Sequence, residues 1–425
     1  LRAVAPLFIL AMALQVGLAV AQTPPEAPGG GQASPEPGRG DTVTTRPRPE
    51  FDPIGVRLGG FFLYPSVGVV ERYHSNIFFT DSGAEDDFIT VLSPSLVLKS
   101  NWNNHALNLF ADSDIGFYAS NSDENYQDAK IGFDGRLDIL RDAKLTGGFT
   151  FERAHEDRSS PDQTSAAEPV TFLRYHPKAA FIKRFNRLST QFGADLIVYD
   201  YDDASTSGGA TLNMDDRNRH ELQGTARVGY EIAPRYEAFV RGSVNDRRYT
   251  DDIDDSGFER DSHGWEVAGG LAFDLSGVTS GNLFAGYLTQ EFDDPAFSSI
   301  NGVSFGGDLT WNPTRLTTVT FQASRTVEET TLSGAAGALV SDIRASVDHE
   351  LRRNIILSAD LRYRNYDYEN ISRDDDVIGA GFGGTYLVNR HARLRLRYGF
   401  AKRESNTSGA DYDAHTVLIG LVTQY

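Results

Sequence analysis

The 425-residue sequence has no cysteine, two methionines and three tryptophans. Without a thiol there is no disulfide framework, no thiolate metal site and no lipoprotein acylation site. Long apolar runs are missing too: beyond Ala3–Val20 nothing reaches about eighteen consecutive apolar residues, so no later helix can span a bilayer. Cations are in the minority. Forty Lys and Arg against 59 Asp and Glu give a net charge of −19, which argues against a general nucleic-acid binder. A hydrophobic fraction of 40% is low for a chain of this length built around a dry core.

What is plentiful is glycine (41), phenylalanine (26) and tyrosine (18). A barrel with a wet interior needs apolar residues only on its outside, and this composition suits one. Arg2, the apolar run to Val20 and the small-x-small site Ala19-Val20-Ala21 read as a signal peptide over residues 1–21. Residues 22–58 open with a Pro/Gly-rich polar segment that cannot bury enough apolar surface to fold alone, and are expected to form a periplasmic linker. There is no room there for the plug domain of a TonB-dependent transporter. Because Arg46, Arg48 and Arg57 precede a lumen expected to carry Asp112, Asp114, Asp134 and Asp195, a second arrangement stays open, in which the tail folds back as a partial plug.

From Gly59 to Tyr425 alternating runs are joined by short turns and longer polar loops in strict succession. The short turns fall near residues 101–104, 141–143, 185–187, 233–235, 277–280, 312–315, 351–354 and 389–391, and Asp/Ser-rich loops lie between them. The count implies about eighteen strands. The expected fold is all-β, a transmembrane antiparallel up-and-down barrel over residues 59–425, with short turns on the periplasmic side.

Alternation also assigns the faces. Leu394, Leu396, Tyr398 and Phe400 alternate with Arg393, Arg395, Arg397 and Gly399; Ile131, Phe133, Leu137 and Ile139 alternate with Lys130, Asp134, Arg136 and Asp138. A charge on the lipid face at the bilayer midplane costs about 2–4 kcal/mol, so the charged sides are expected to line the lumen. Strand-end aromatics should form two interfacial girdles: Tyr64, Trp102, Tyr230, Tyr236, Trp311, Tyr386 and Tyr425 below; Tyr73, Phe117, Trp265 and Tyr249 above. Counting back in twos from Tyr425 through Thr423, Leu421, Ile419 and Val417 gives a mostly apolar face ending at a C-terminal aromatic. An edge strand of a soluble sandwich is the alternative, and it would leave an aggregation-prone edge.

The lumen candidates form two groups. Arg344, Arg362, Arg364, Arg393, Arg395 and Arg397 fall on the fourteenth, fifteenth and seventeenth strands, with Gly379, Gly381 and Gly383 on the sixteenth clearing space between them. Either they form a basic wall, or they pair internally with Asp342, Asp360 or acids across the pore. Asp112, Asp114, Asp134 and Asp195 form the acidic group.

Three motifs fit only on paper. Gly379-x-Gly381-x-x-Gly384 lies in an alternating strand and not at a strand–helix turn, and Gly302-x-Ser304-x-Gly306 lacks the helix of a nucleophile elbow, leaving Ser304 as a pore-lining hydroxyl. Asp251–Asp255 lacks the glycine and distal Glu of an EF-hand loop, so it reads as solvated charge, with weak divalent bridging to lipopolysaccharide phosphates as the alternative. No enzyme activity, metal or cofactor is expected.

Five segments carry a family resemblance: RPRPEFDPIGVRLGGFFLYPS (46–66), DDFITVLSPSLVL (86–98), VGYEIAPRYEAFVRGS (228–243), SVDHELRRN (346–354) and GADYD (409–413). With them the chain resembles the Gram-negative outer-membrane proteins grouped as β-barrel porins of type 2. The resemblance implies a porin in the cell outer membrane, inserted by the barrel-assembly machinery among lipid and lipopolysaccharide, and some members accompany exopolysaccharide export. A C-terminal strand ending in Tyr425 resembles the insertion signal of such barrels. The expected function is a channel for hydrophilic solutes, an anionic polysaccharide among them. The alternative is a closed structural or surface-interaction barrel presenting acidic loops.

Overall fold

The computed structural model describes residues 41–162, 166–275 and 277–425. The expected signal peptide and residues 22–40 lie outside the described residues. Eighteen long strands follow one another. They are β1 (Phe61–His74), β2 (Asp87–Ser100), β3 (Ala106–Tyr118), β4 (Tyr126–Leu140), β5 (Ala143–His155) and β6 (Thr171–Phe185). Then come β7 (Leu188–Tyr201), β8 (Arg219–Ala233), β9 (Tyr236–Tyr249), β10 (Ser262–Leu275), β11 (Thr279–Phe292) and β12 (Ile300–Thr314). The last six are β13 (Thr317–Glu328), β14 (Ala338–Arg352), β15 (Ile355–Tyr368), β16 (Asp374–Asn389), β17 (Ala392–Ser405) and β18 (Tyr412–Gln424).

Each strand pairs antiparallel with the next, and β18 returns to β1, where Gln424 faces Ser66 and Thr416 faces His74. Closure leaves no sheet edge except toward the outer mouth where β12 and β13 part, and pairing of this kind is what a chain in hydrocarbon requires of its backbone N–H and C=O groups. The hairpin turns fall where the sequence places them. Register slips by one residue beside several of them, as between Glu350 and Arg352, and Asn186 and Arg235 adopt positive φ (54° and 72°) to close the tightest.

The two faces separate by residue parity. Leu396, Ile419, Leu361, Phe382, Ile131 and Val303 stand exposed on the outer surface, where lipid covers them. Their neighbours Arg395, Leu418, Arg362, Gly381, Lys130 and Ser304 turn inward. Trp102, Tyr230, Tyr236, Trp311, Tyr386 and Tyr425 are exposed near the turns, and Phe117 and Trp265 near the loops, as girdles require. Two expected girdle residues are not. Tyr64 has inward parity and is buried beneath Gly55, and the Tyr249 hydroxyl donates to Glu329 Oε2 at 2.7 Å on the lumen side. Each sits at a strand end, but one residue out of phase with the lipid face.

The outer mouth holds small apolar clusters of its own: Ala335, Ala338, Val340, Tyr366 and Tyr368; Ala166, Val170 and Met214; and Leu288, Ile300 and Leu339. The last lies where β12 and β13 part. Their ladder runs from Thr314–Thr317 only as far as Gly306–Ser324, and Arg247 Nη2 donates to the carbonyl of Val327 (3.0 Å) beyond that point.

Candidate functional site: the lumen wall and its mouths

The arginines expected to form a wall share one side of the barrel. Arg344 on β14 directly faces Arg362 on β15, Arg362 faces Gly379 on β16, and Gly383 faces Arg397 on β17. β16 supplies glycine where a side chain would block them: a β-carbon at Gly381 would collide with the Arg397 guanidinium.

The wall is partly neutralised. Arg362 is bidentate on Asp342 (Nε 3.0 Å, Nη2 2.5 Å), buried Arg364 pairs with Glu328 (2.8 Å) and Asp342 (3.4 Å), and Arg397 pairs with Asp360. Planar guanidinium–carboxylate pairs of this kind hold position as well as charge. Among the described residues, Arg344 and Arg395 form no ion pair, and Arg393 stands one inward position from Arg395 toward the periplasmic end. The ion pairs thus take up Arg362, Arg364 and Arg397 and leave out Arg344 and Arg395 among the described residues.

The acidic candidates lie across the lumen by strand order, on β3, β4 and β7. Asp112 accepts from Ser95 Oγ (2.5 Å), Asp114 from Ser93, Asp134 pairs with Lys178 (3.2 Å), and Asp195 stands 3.8 Å from His176. Ser304 has inward parity but is fully buried and its hydroxyl has no hydrogen-bond partner, so it neither lines open space nor meets a base. In the 251–255 run Asp254 is not solvated: it is buried, pairs with Arg260 (2.6 Å) and accepts from the N–H groups of Ser256 and Phe258.

The outer mouth carries groups that the sequence did not single out. The loop after β5 leaves one side of the barrel and reaches the other, where Ser159 O accepts from Arg403 Nη1 of β17 (3.2 Å) and Asp162 accepts from Thr330 Oγ1 (2.5 Å) and the Thr331 N–H (3.1 Å). Arg158–Glu124 (2.6 Å) and Arg217–Glu156 (2.5 Å) brace its near end. Guanidiniums cap inward aromatics around the same rim: Arg217 over Tyr201 and Arg219 over Tyr199 at 4.3 Å, Arg403 over Tyr412 at 4.7 Å, Arg364 over Tyr366 at 5.0 Å. Burial pushes the Asp216 carboxyl in this rim up to about 6, with the nearby Asp255 charge adding to the effect, and burial raises Asp162 as well. The only local signal for this roof is loop length, which does not say where a loop goes.

A closed barrel with a charged interior and a lipid-facing apolar belt is thus in place, and residues 48–425 match the family described as Putative beta-barrel porin 2. The chain belongs to that family. No curated protein sequence matches it. Among solved structures, this porin resembles Pseudomonas aeruginosa OpdK with vanillate at 12% identity, covering 85% of this chain and 99% of that one, with a TM-score of 0.44. A BenF-like porin from Pseudomonas fluorescens is similar at 10% identity over 85% and 99% of the two chains (TM-score 0.44). A mutant ferric enterobactin receptor from Pseudomonas aeruginosa is similar at 7% over 85% and 80% (TM-score 0.47). Identities and scores this low carry no information about what the present porin conducts. The family and the barrel place it in the outer membrane.

Proposed function

We propose that this porin is a passive outer-membrane channel for hydrophilic solutes with a preference for anions. The observation that carries the reading is the lumen wall of β14–β17, where, among the described residues, Arg344 and Arg395 stand without ion-pair partners beside the paired Arg362, Arg364 and Arg397. Eighteen strands enclose more space than side chains alone fill. Guanidiniums fixed on the wall attract an anion and release it because each contact is shared with water and neighbouring acids. Selectivity of this kind needs no reaction and no cofactor.

An anionic polysaccharide is one solute such a wall would suit, its carboxylates passing between successive guanidiniums. That choice of solute rests on the family resemblance, as does insertion by the barrel-assembly machinery through the Tyr425 strand. Lipid and lipopolysaccharide are the proposed partners of the outer surface and its charged upper rim.

One observation favours a second reading, a barrel closed at rest that presents its loops to a surface partner: the loop after β5 crosses the outer mouth. Single-channel recording of the purified protein in planar bilayers separates the two. Discrete conductance steps support the channel; their absence over a range of pH and voltage, with the protein inserted, selects the closed barrel.

A further inference from the structure

The polar segment ahead of β1 does not run free from residue 41 onward. Val43 is fully buried, its N–H donating to Thr318 Oγ1 (2.9 Å) and its carbonyl accepting from Arg48 Nη2 (2.6 Å). Glu350 receives both flanking arginines, Arg48 at 2.8 Å and Arg46 at 3.4 Å, and all three are buried. Arg46 also donates to the Arg315 carbonyl of the β12–β13 turn. Further along, Arg390 donates to Pro49 O (3.1 Å), Gln424 to Phe51 O (3.4 Å), and Arg353 stands 3.7 Å from Glu50. The segment lacks a core of its own, but it does not need one: it seats one valine and two guanidiniums against the barrel. The arginines meet Glu350, not the lumen aspartates on the far side.

Parity shows which side of the wall it occupies. Thr318 shares the inward face of β13 with Glu328, Glu350 that of β14 with Asp342 and Arg344, and Gln424 that of β18 with Leu418 and Val422. The segment therefore lies inside the periplasmic mouth, running from β13 to β18 below Arg395. Glu350 would otherwise be a bare carboxylate at the end of the basic wall.

We infer that residues 42–52 are a strap with two effects on permeation, narrowing the periplasmic mouth and cancelling the charge of Glu350, which makes Glu350 a selectivity-determining residue held silent by Arg46 and Arg48. This rests on the channel reading. Pore diameter and lining charge are separable in a recording.

Deleting residues 41–52 is expected to raise single-channel conductance about twofold or more by widening the mouth, and the double substitution Arg46→Gln and Arg48→Gln, which leaves Asp41, Glu50 and Asp52 in place, to shift the reversal potential in a salt gradient toward cations because Glu350 is bared. Adding Glu350→Gln to the two arginine substitutions should undo the shift. A conducting wild type whose conductance is unchanged by the deletion and whose reversal potential is unchanged by the two arginine substitutions would overturn the inference. A second readout is independent of conduction, since the chain has no cysteine. Val43→Cys should react with a maleimide about tenfold or more slowly in the folded protein than in its denatured form, and Glu350→Gln should abolish much of that protection. Equal labelling in folded and denatured protein would show that the strap is not seated, whether or not the barrel conducts.

Discussion

Gly381 and Arg397 occupy overlapping space: a β-carbon on the glycine would collide with the guanidinium and stand 3.1 Å from Asp360 Oδ1, the acid which that guanidinium pairs with. The absent side chain on β16 is therefore what lets an arginine on β17 reach across to an aspartate on β15. This is why Gly379, Gly381 and Gly383 belong to the wall and not to a phosphate loop.

Gly381→Val is expected to displace Arg397 from Asp360 and to destabilise the barrel by about 1–3 kcal/mol, the range for overpacking a filled site. Urea unfolding followed by heat-modifiable migration measures it. Gly384, whose β-carbon would meet Leu357 Cδ2 at 3.4 Å, should accept alanine with a smaller loss.

The facing of β17 gives a sharper contrast between two adjacent residues. Leu396 is exposed on the lipid surface while Arg395 turns inward. Leu396→Lys should cost about 2–4 kcal/mol at bilayer depth, whereas Arg395→Lys should leave stability within about 1 kcal/mol, because it keeps a cation in the lumen. Equal losses from the two substitutions in a lipid bilayer would mean that the faces are assigned wrongly.

The barrel was legible because its rule is local. Period-two alternation, as in Arg393 to Arg397, states both the strand and its facing, and turn chemistry states the register, so strand number and the inward position of the six arginines follow from the sequence. Contacts between distant segments are not local. Nothing around Glu350 says that Arg46 and Arg48 meet it, and nothing around Ser159 says that its carbonyl reaches Arg403 across the mouth. Alternation also fails by a single residue at strand ends, where Tyr64 and Tyr249 fit a girdle by position but turn inward. Which arginines pair is not local either: Arg362 and Arg344 have the same residue type and parity, and only the positions of Asp342 and Glu328 across the ladder separate paired from unpaired.

The outer roof should respond to pH. Asp216 has its carboxyl raised to about 6 from an ordinary 3.8, chiefly by burial, so the neutral form is the one the folded rim favours. Its contribution to holding the rim is fully present below the ordinary carboxylate value and is lost as pH rises through about 6. Closures of the channel are therefore expected to become rarer and shorter between pH 4 and 7, and Asp216→Asn should flatten the dependence. A pH response identical in wild type and Asp216→Asn would remove this residue from the account.

The most direct test of anion preference is the reversal potential in a tenfold potassium chloride gradient, for the wild type and for a protein carrying Arg344→Gln and Arg395→Gln. These two arginines lack ion-pair partners among the described residues, so replacing them removes lumen charge without stranding an acid, unlike replacement of Arg362 or Arg397. The wild type should reverse on the chloride side of zero, and the double variant, inserted and heat-modifiable as before, should move toward zero or past it to the potassium side. A wild type that selects potassium, or a well-folded double variant with an unchanged reversal potential, would contradict the basic wall as the selectivity element.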